Sequence, residues 1–475
     1  MNFVPVPYRQ LQIGLAKDGK AITALSKEKI DSKTDANNIY ASQQLFREAV
    51  ISKVERKEVQ QEPPLLYDLT TLQKEANSKH GFSAGKTLSL AQKLYEQHKL
   101  ITYPRTGSRY IPGDVFQEAG ELIENLKSYP RFTAYTEKLS SMNLNIHSVD
   151  DKKVTDHHAL LITENRLGKL SSDEQTIYEM IAGRMLEAFS RTCVKDITTL
   201  TLSVDTVLYE TKGSVTRIAG WREVFNEKEE DGEDKTELPE LSEGETLSIK
   251  KLDLFTKQTK PKPLHTEASL LGAMQTAGKE LENEEQRLAL KGCGIGTPAT
   301  RAAIIETLFS RDYIRRDKKS LVPTGKGLAV YDVVKDKRIA NVEMTGMWED
   351  TFLKIESGEV SAGNFKKGIE AYAGQITEEL LNTSFPLSGE ETVCCPKCSI
   401  SPVNFYPKVV KCADPGCGLI LFTSLCGKTL PNDVMHILLS GKPTGIIKGF
   451  KGKTGKTFHA ALKLDENFRI KFEFS

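Results

Sequence analysis

The sequence predicts a multidomain α+β protein. A β-rich domain is interrupted by a helical domain; a helical, winged-helix-like domain, a cysteine-rich ribbon and a small basic C-terminal module follow. Three observations predict it. The chain has 475 residues, which at roughly 150 per domain makes about three domains. Its apolar pattern changes from strand alternation to helical spacing and back. Six of its eight cysteines lie between Cys394 and Cys426, which in a chain of this size favours a metal over disulfides.

The elements follow in order. Val4, Val6 and Tyr8, then Leu11, Ile13 and Leu15 on the other register, read as strand, with a bulge between them. Pro63-Pro64 marks a boundary, after which Thr70 to Lys79 reads as a short helix. Ser83 can cap a second helix, with Leu88, Ala91, Leu94 and Tyr95 on its apolar face, running to about Lys99. An apolar, β-branched piece follows, Leu100 to Tyr103, stopped by Pro104. Pro112 opens another helix that buries Val115, Phe116, Ala119, Leu122, Ile123 and Leu126. Helix is expected to dominate as far as Ser190. Leu200, Leu202 and Val204 then restore strand alternation, with more strand through Val224 and from Leu247 to Phe255.

From Thr266 the pattern is helical again. Gly296-Thr297-Pro298 is a good helix start, with Thr as cap and Pro at the first position, and Ala302, Ile305, Leu308 and Phe309 give the buried face. Arg311 to Arg316 with Leu321-Val322 read as a hairpin, so this stretch resembles a winged-helix element. A linker at Pro386 to Glu391 precedes the cysteines. Domain bounds are 1–62 with 191–264 (β-rich), 63–190 (helical), 265–388 (winged-helix-like), 390–424 (ribbon) and 425–475 (basic module). No internal repeat is visible.

Hydrophobic residues are 39% and charged residues 27%, a composition that excludes a disordered tail. No run approaches the roughly 20 apolar residues that span a bilayer. The start, MNFVPVPYRQLQIGLAK, lacks an apolar run behind a basic end, so a cytoplasmic, non-membrane protein is expected. The net charge of +1 hides an asymmetry. From Cys394 to Ser475, 12 Lys+Arg face 5 Asp+Glu, a local +7, leaving 53 against 59, or −6, elsewhere. Part of that deficit is the run Glu227 to Glu245, with ten acids and two lysines. The basic end points to a polyanion partner, or else to a well-solvated surface.

Cys395-Pro-Lys-Cys398 and Cys412-Ala-Asp-Pro-Gly-Cys417 bracket 13 residues. Two such knuckles across a hairpin make a tetrahedral four-sulfur set, the kind zinc prefers, with no position left open for water. One structural Zn²⁺ in a zinc ribbon is expected. Cys394 and Cys426 are spare thiols, and Cys193 and Cys293 are read as reduced core residues.

Two further stretches carry chemistry. In Ile101-Thr-Tyr103-Pro-Arg105-Thr-Gly-Ser-Arg109-Tyr110 a tyrosine held by proline has two arginines close by. A phenol is a poor nucleophile unless a cation stabilises its oxyanion, and arginine grips phosphate bidentately. Tyr-x-Arg therefore suits attack on a phosphodiester, although a tyrosine near an arginine is usually structural. Asp150-Asp-Lys-Lys153-Val-Thr-Asp-His157-His158 pairs histidines with acids and lysines that can shuttle protons or contact phosphate. Adjacent residues seldom ligate one metal together.

Together these stretches resemble the type IA DNA topoisomerases, in particular the bacterial topoisomerase III branch. KLYEQHKLITYPRTGSRYIP is similar to the family's active-site segment and DDKKVTDHHALLIT to its histidine motif. HTEASLLGAMQTAGKEL and GIGTPATRAAIIETLFSRDYI resemble the domain that follows. The resemblance implies a toroidal core around a DNA-holding hole, and single-strand cleavage through a 5′-phosphotyrosine, strand passage and resealing. Tyr103 matches the nucleophile, Arg105 the arginine on the scissile phosphate and His157 the assisting histidine. Gln73, Gln92, Thr297, Thr300 and Arg301 match polar positions near the DNA path. Arg109, Lys153 and His158 complete the expected DNA contacts. No ATP is implied, and there is no GxxxxGK[ST] loop. Single-stranded and negatively supercoiled DNA are the expected partners of a monomer associated with the nucleoid.

The family's enzymes begin with a TOPRIM domain, whose Asp-x-Asp-x-Glu cluster binds Mg²⁺. This sequence holds no such motif; Asp231-Gly-Glu-Asp234 has the wrong spacing. The reading is that the chain starts just past that domain, so Mg²⁺ is expected only with it and this chain alone is expected to be inactive. Ile162 stands where the family usually has proline, and Gly107 where it often has an acid. The alternative is a non-catalytic single-stranded DNA-binding module. A tyrosine recombinase would place its tyrosine near the C-terminus, unlike Tyr103.

Overall fold

The structure is a computed structural model and describes residues 3–225, 238–290, 294–383, 393–406, 408–452 and 456–474. Cys293, the Pro386–Glu391 linker, Asp231–Asp234 and most of the acidic run lie outside the described residues. The chain forms two compact units, Met1–Val322 with Asp336–Thr377, and Pro323–Lys335 with Glu378–Ser475.

The first unit opens with β1 (Pro7–Lys17), β2 (Lys20–Ser26), α1 (Lys33–Gln43) and β3 (Glu48–Gln61). Asp18 and Gly19, at φ 49° and 76°, make the two-residue turn of the first hairpin, a geometry whose twist matches the flanking strands. A helical layer follows: α2 (Leu69–His80), α3 (Ala84–Glu96), α4 (Gly113–Asn125), α5 (Thr133–Ser140) and α6 (Ser172–Ala188). The chain returns to strand in β4 (Cys193–Val204), β5 (Val207–Ile218) and β6 (Thr246–Gln258).

The six strands close an antiparallel barrel in the order β1-β2-β5-β4-β3-β6. Leu11, Ile13, Leu15, Ile22, Leu200 and Leu202 fill its interior, the period-two positions of each strand. The bulge between Gly14 and Leu15 lies where β1 pairs with β6. Val4 and Val6 stay exposed ahead of β1, so of the first alternating register only Tyr8 lies in strand. Helix α1 buries only Ala36 and Gln43 and shows no apolar stripe, so no helical period marks it in the sequence.

The helical layer hangs from a hairpin. β3 and β4 are antiparallel neighbours, and Gln61 at the end of one faces Cys193 at the start of the other. Everything between them leaves and re-enters the barrel at one point and has its own core, including Leu72, Leu94, Ile123, Phe132, Ile181 and Phe189. Two expectations change here. The second helix stops at Glu96, and Lys99 turns left-handed at φ 57°. Helix does not dominate to Ser190: between α5 and α6 the chain is irregular apart from a short 3₁₀ turn at Asp151–Lys153, because its apolar residues are zipped to other segments.

Past the barrel come α7 (Glu267–Gln275), α8 (Glu284–Leu290), α9 (Pro298–Ser310), β7 (Ile314–Asp317), β8 (Ser320–Pro323), α10 (Gly325–Val334), α11 (Val342–Glu356) and α12 (Ala362–Leu381). Helix α9 with its β7–β8 hairpin is the winged-helix-like element. In the second unit, β9 (Val403–Phe405), β10 (Val409–Cys412) and β11 (Ile420–Phe422) form the ribbon sheet. Next come β12 (Ser424–Leu425), β13 (Lys428–Thr429), α13 (Asn432–Leu439), β14 (Ile447–Lys451), β15 (Thr457–Leu464) and β16 (Ile470–Glu473). Cys395, Val410 and Leu421 of the ribbon share one apolar cluster with Met435, Phe450 and Leu462. No helix among the described residues is long and apolar enough to cross a membrane.

Candidate active site and metal centre

Three segments of the first unit lie side by side. Ile101 bridges Ile162, and Tyr67 bridges Leu160, both antiparallel. Thr102 N donates to Leu161 O at 3.0 Å, Leu160 N to Tyr67 O at 2.8 Å, and Ala159 N to Tyr110 O at 2.9 Å. Side chains tighten the zipper: Leu161 N donates to Thr102 Oγ1 at 3.0 Å, and Thr106 Oγ1 to His157 O at 2.8 Å. The apolar residues Leu100, Ile101, Leu160 and Ile162 are buried beneath, so the tyrosine and histidine segments are held in fixed register.

On this platform the half-buried Tyr103 ring lies 4.5 Å from the His157 ring, centroid to centroid, tilted by 53°. Its other neighbour is Tyr95 of α3, edge-on at 5.5 Å and 78°. His157 and Arg105 are exposed. With its amide oriented by its hydrogen-bond partners, Gln92 accepts from Arg105 Nη2 at 2.6 Å and Nε at 3.3 Å. Gln92 and Tyr95 are three apart on α3 and so share a face. That helix is started by Ser83, which accepts from Lys86 N at 3.1 Å. One helix face thus sets both the tyrosine ring and the guanidinium. Together the three groups can align a phenol, a proton acceptor and a phosphate-gripping cation on one open surface.

The second helical segment comes close. A Cβ on Gly107 would lie 3.3 Å from Pro298 Cγ, so glycine permits this approach. Thr297 and Thr300 are exposed at the start of α9, where Thr297 N donates to Thr300 Oγ1 at 2.9 Å.

The other expected DNA contacts divide. Lys153 stays at the surface, paired with Asp150 at 2.8 Å and 4.7 Å from the Tyr110 ring centroid. His158 is half-buried, its Nδ1 2.7 Å from Ala159 O. Three of the residues expected on the DNA path are turned inward. Gln73 is 0% exposed and donates to Ala84 O at 3.1 Å, because α2 packs against α3, α7 and α9. Arg301 is 1% exposed, with Nη1 on Thr70 Oγ1 at 2.8 Å and Nε on Ile295 O at 3.2 Å. Arg109 turns inward, donating to the carbonyls of Leu66 at 3.2 Å and Leu65 at 3.4 Å, and burial pushes its pKa below the usual arginine value. The sequence reading left out Tyr95 as a neighbour of the site, and Thr102 and Thr106 as its fasteners. Their signal was position alone, within or just before the tyrosine segment.

In the second unit the sulfurs of Cys395, Cys398, Cys412 and Cys417 all lie within 4.8 Å of one another. Cys395 and Cys417 are 3.6 Å apart, Cys398 and Cys412 3.7 Å. A tetrahedral site with Zn–S of about 2.3 Å needs sulfurs about 3.8 Å apart, so this set fits a metal ion such as zinc. The backbone amides of Ser401 and Ile400 hold the Cys398 thiol down to about 6, while burial pushes the Cys395 and Cys412 thiols up. Cys394 and Cys426 are exposed, and Cys193 is buried.

The family model for DNA topoisomerase matches residues 1–367, and that for the C-terminal repeat of topoisomerase matches residues 416–475. The chain belongs to the DNA topoisomerase family, as a type IA, topoisomerase III-like member. DNA topoisomerase 3 of Bacillus subtilis is 32% identical over 435 residues, 88% of this chain and 59% of that protein. The Bacillus licheniformis protein of the same name is 33% identical over 437 residues, again 88% and 59%. The chain therefore spans 59% of the length of these relatives. Full-length topoisomerase I of Thermotoga maritima shares the fold, with a TM-score of 0.59 and 22% identity over 99% of this chain and 69% of that one.

Proposed function

We propose that this chain carries the strand-cleaving half of a type IA DNA topoisomerase, with Tyr103 as nucleophile. The observation that carries the reading is the Tyr103 ring 4.5 Å from His157, on the α3 face whose Gln92 holds Arg105. The Tyr103 oxygen attacks a phosphodiester of single-stranded DNA, and the 3′-oxygen leaves with a proton as the 5′-phosphotyrosine forms. Arg105 grips two phosphate oxygens and stabilises the attacking phenolate. His157 assists as proton relay beside the phenol. After strand passage the 3′-oxygen attacks the phosphotyrosine and frees Tyr103, so no ATP is consumed. Thr297, Thr300, Lys153 and His158 guide the strand in this reading. Gln73, Arg109 and Arg301 support the site from beneath. The chain acts as a monomer on negatively supercoiled DNA, in the cytoplasm at the nucleoid.

The sequence contains no Asp-x-Asp-x-Glu, and among the described residues the only cluster of three or more potential metal ligands is the cysteine one. The Mg²⁺-binding carboxylates are supplied by a TOPRIM domain. Zn²⁺ is held by Cys395, Cys398, Cys412 and Cys417 and fixes the ribbon.

The test is covalent adduct formation on a single-stranded oligonucleotide, with and without a supplied TOPRIM domain. Wild type should form the adduct only with that domain, and Tyr103→Phe should form none, since it removes the attacking oxygen and little else. An adduct on Tyr103→Phe would move the nucleophile elsewhere, with Tyr110 the next candidate.

One observation favours the binding-module reading. The open face of the ribbon shows Phe422, 65% exposed, beside Ile420, with Tyr406 under Lys411 Nζ at 5.0 Å. Aromatic rings with lysines make a stacking surface for single strands. Binding without any adduct, TOPRIM present, would select that reading.

A further inference from the structure

The helical layer meets α7 and α9 across a small apolar patch of Ala84, Leu271, Met274, Ala302 and Ile305. Around it two helix caps cross from one side to the other. The N–H of Ala84, first residue of α3, donates to Glu267 Oε2 at 2.9 Å. The N–H of Ala268, second residue of α7, donates to Asn77 Oδ1 of α2 at 3.1 Å. The first amides of a helix have no partner within it, so each of these helices is completed by the opposite side. Glu267 is 3% exposed. Its second oxygen accepts from Arg316 Nε at 2.8 Å and Nη2 at 2.7 Å.

We propose that Glu267 is the positioning residue that holds this interface closed, with Asn77 as its reciprocal partner. The inference rests on the strand-passage reading in one respect: that reading requires two faces of the molecule to part. Parting takes Glu267 from the Ala84 amide and Asn77 from the Ala268 amide together, while Arg316, on the same side as Glu267, stays bound to it, so the contact opens as a unit. The apolar patch is small and the rest is polar, so water can take over the bonds and opening is reversible. Closure also seats the Tyr103 loop, because Gly107 abuts Pro298 at the start of α9. Glu267 therefore acts on the tyrosine through the interface, without touching DNA.

Amide hydrogen exchange on the full chain tests this. Glu267→Ala should raise exchange at the starts of both α3 and α7 by roughly tenfold or more, the size expected for losing hydrogen bonds to a charged group. Glu267→Gln keeps an acceptor for Ala84 and should give a smaller rise. Strand β4, far along the barrel, should keep wild-type protection. A Gly85→Cys/Glu306→Cys pair, at positions where a Cβ on residue 85 would lie 3.7 Å from Glu306 Cγ, should restore protection to Glu267→Ala when oxidised and lose it when reduced. Unchanged exchange at both helix starts overturns the proposal. So does a rise that includes β4 and survives oxidation, which would make Glu267 a general stability residue. With TOPRIM supplied, the oxidised pair in the wild-type background should form the DNA adduct yet pass no strands until reduced. If the unmodified chain forms no adduct, the catalytic reading fails while the exchange result stands.

Discussion

Tyr103 owes its orientation to two rings and one turn of helix, which makes the site sensitive to groups that never touch phosphate. The Tyr95 ring packs edge-on against it, a contact of about 0.5–1.5 kcal/mol. Tyr95→Leu should slow adduct formation by roughly threefold to tenfold, whereas Tyr95→Phe should not, since the packing ring remains. Arg105→Ala should cost roughly a hundredfold to a thousandfold, as for loss of one group that stabilises developing charge. Arg105→Lys should restore little of it, because an ammonium cannot serve Gln92 and phosphate with one planar fork. His157→Ala should be milder than Arg105→Ala. Single-turnover cleavage with TOPRIM present measures all five variants.

At the scale of elements, the floor of the site is a buried ion network between α2 and α6. Arg184 bonds Glu75 at 2.5 Å and Glu187 at 2.9 Å, and its guanidinium lies 4.1 Å from the Tyr67 ring centroid. Tyr67 in turn bonds Glu75 at 2.7 Å and bridges Leu160, next to the histidine segment. Arg184→Met should destabilise the helical layer by about 3 kcal/mol or more, as loss of one partner of a buried pair does, seen as a lower melting transition. Burial works to raise the Glu75 carboxyl, but Arg184 and the Tyr67 hydroxyl outweigh it and hold it below the ordinary carboxylate range. A depressed folded value contributes stability above the unfolded pKa, about 4.3, and that stability is lost as pH falls through the folded one. The stability gap between wild type and Glu75→Gln should therefore be full at neutral pH and shrink below about pH 4.

For the whole molecule, metal and DNA binding should separate the two units. Elemental analysis should find about one zinc per chain, lost in Cys398→Ala. Because Cys395 and Cys412 share a core with Phe450 and Leu462, metal loss should loosen residues 425–474 along with the ribbon, read as new proteolytic cuts. The barrel and helical layer should keep their melting transition. Single strands should bind better than duplex, with affinity falling as salt rises. Deleting 390–475 should weaken binding and flatten the salt slope, while Phe422→Ala should weaken it by about 1–3 kcal/mol with the slope kept. Equal affinity for duplex would count against the stacking face.

Local rules carried much of the fold in the sequence. Period-two residues such as Leu11, Ile13, Leu200 and Leu202 mark the barrel interior. Ser83, Thr266 and Pro298 mark helix starts, and the spacing of four cysteines marks the metal set. Each is set by neighbours within a few residues, so sequence alone suffices. The tyrosine and histidine segments were legible as motifs, but not the 4.5 Å between their rings. That distance, the closure of six strands and the inward turn of Gln73, Arg109 and Arg301 depend on partners far along the chain. A polar side chain declares what it can bond, and only the packing of α2 between α3, α7 and α9 decides whether water or backbone answers it.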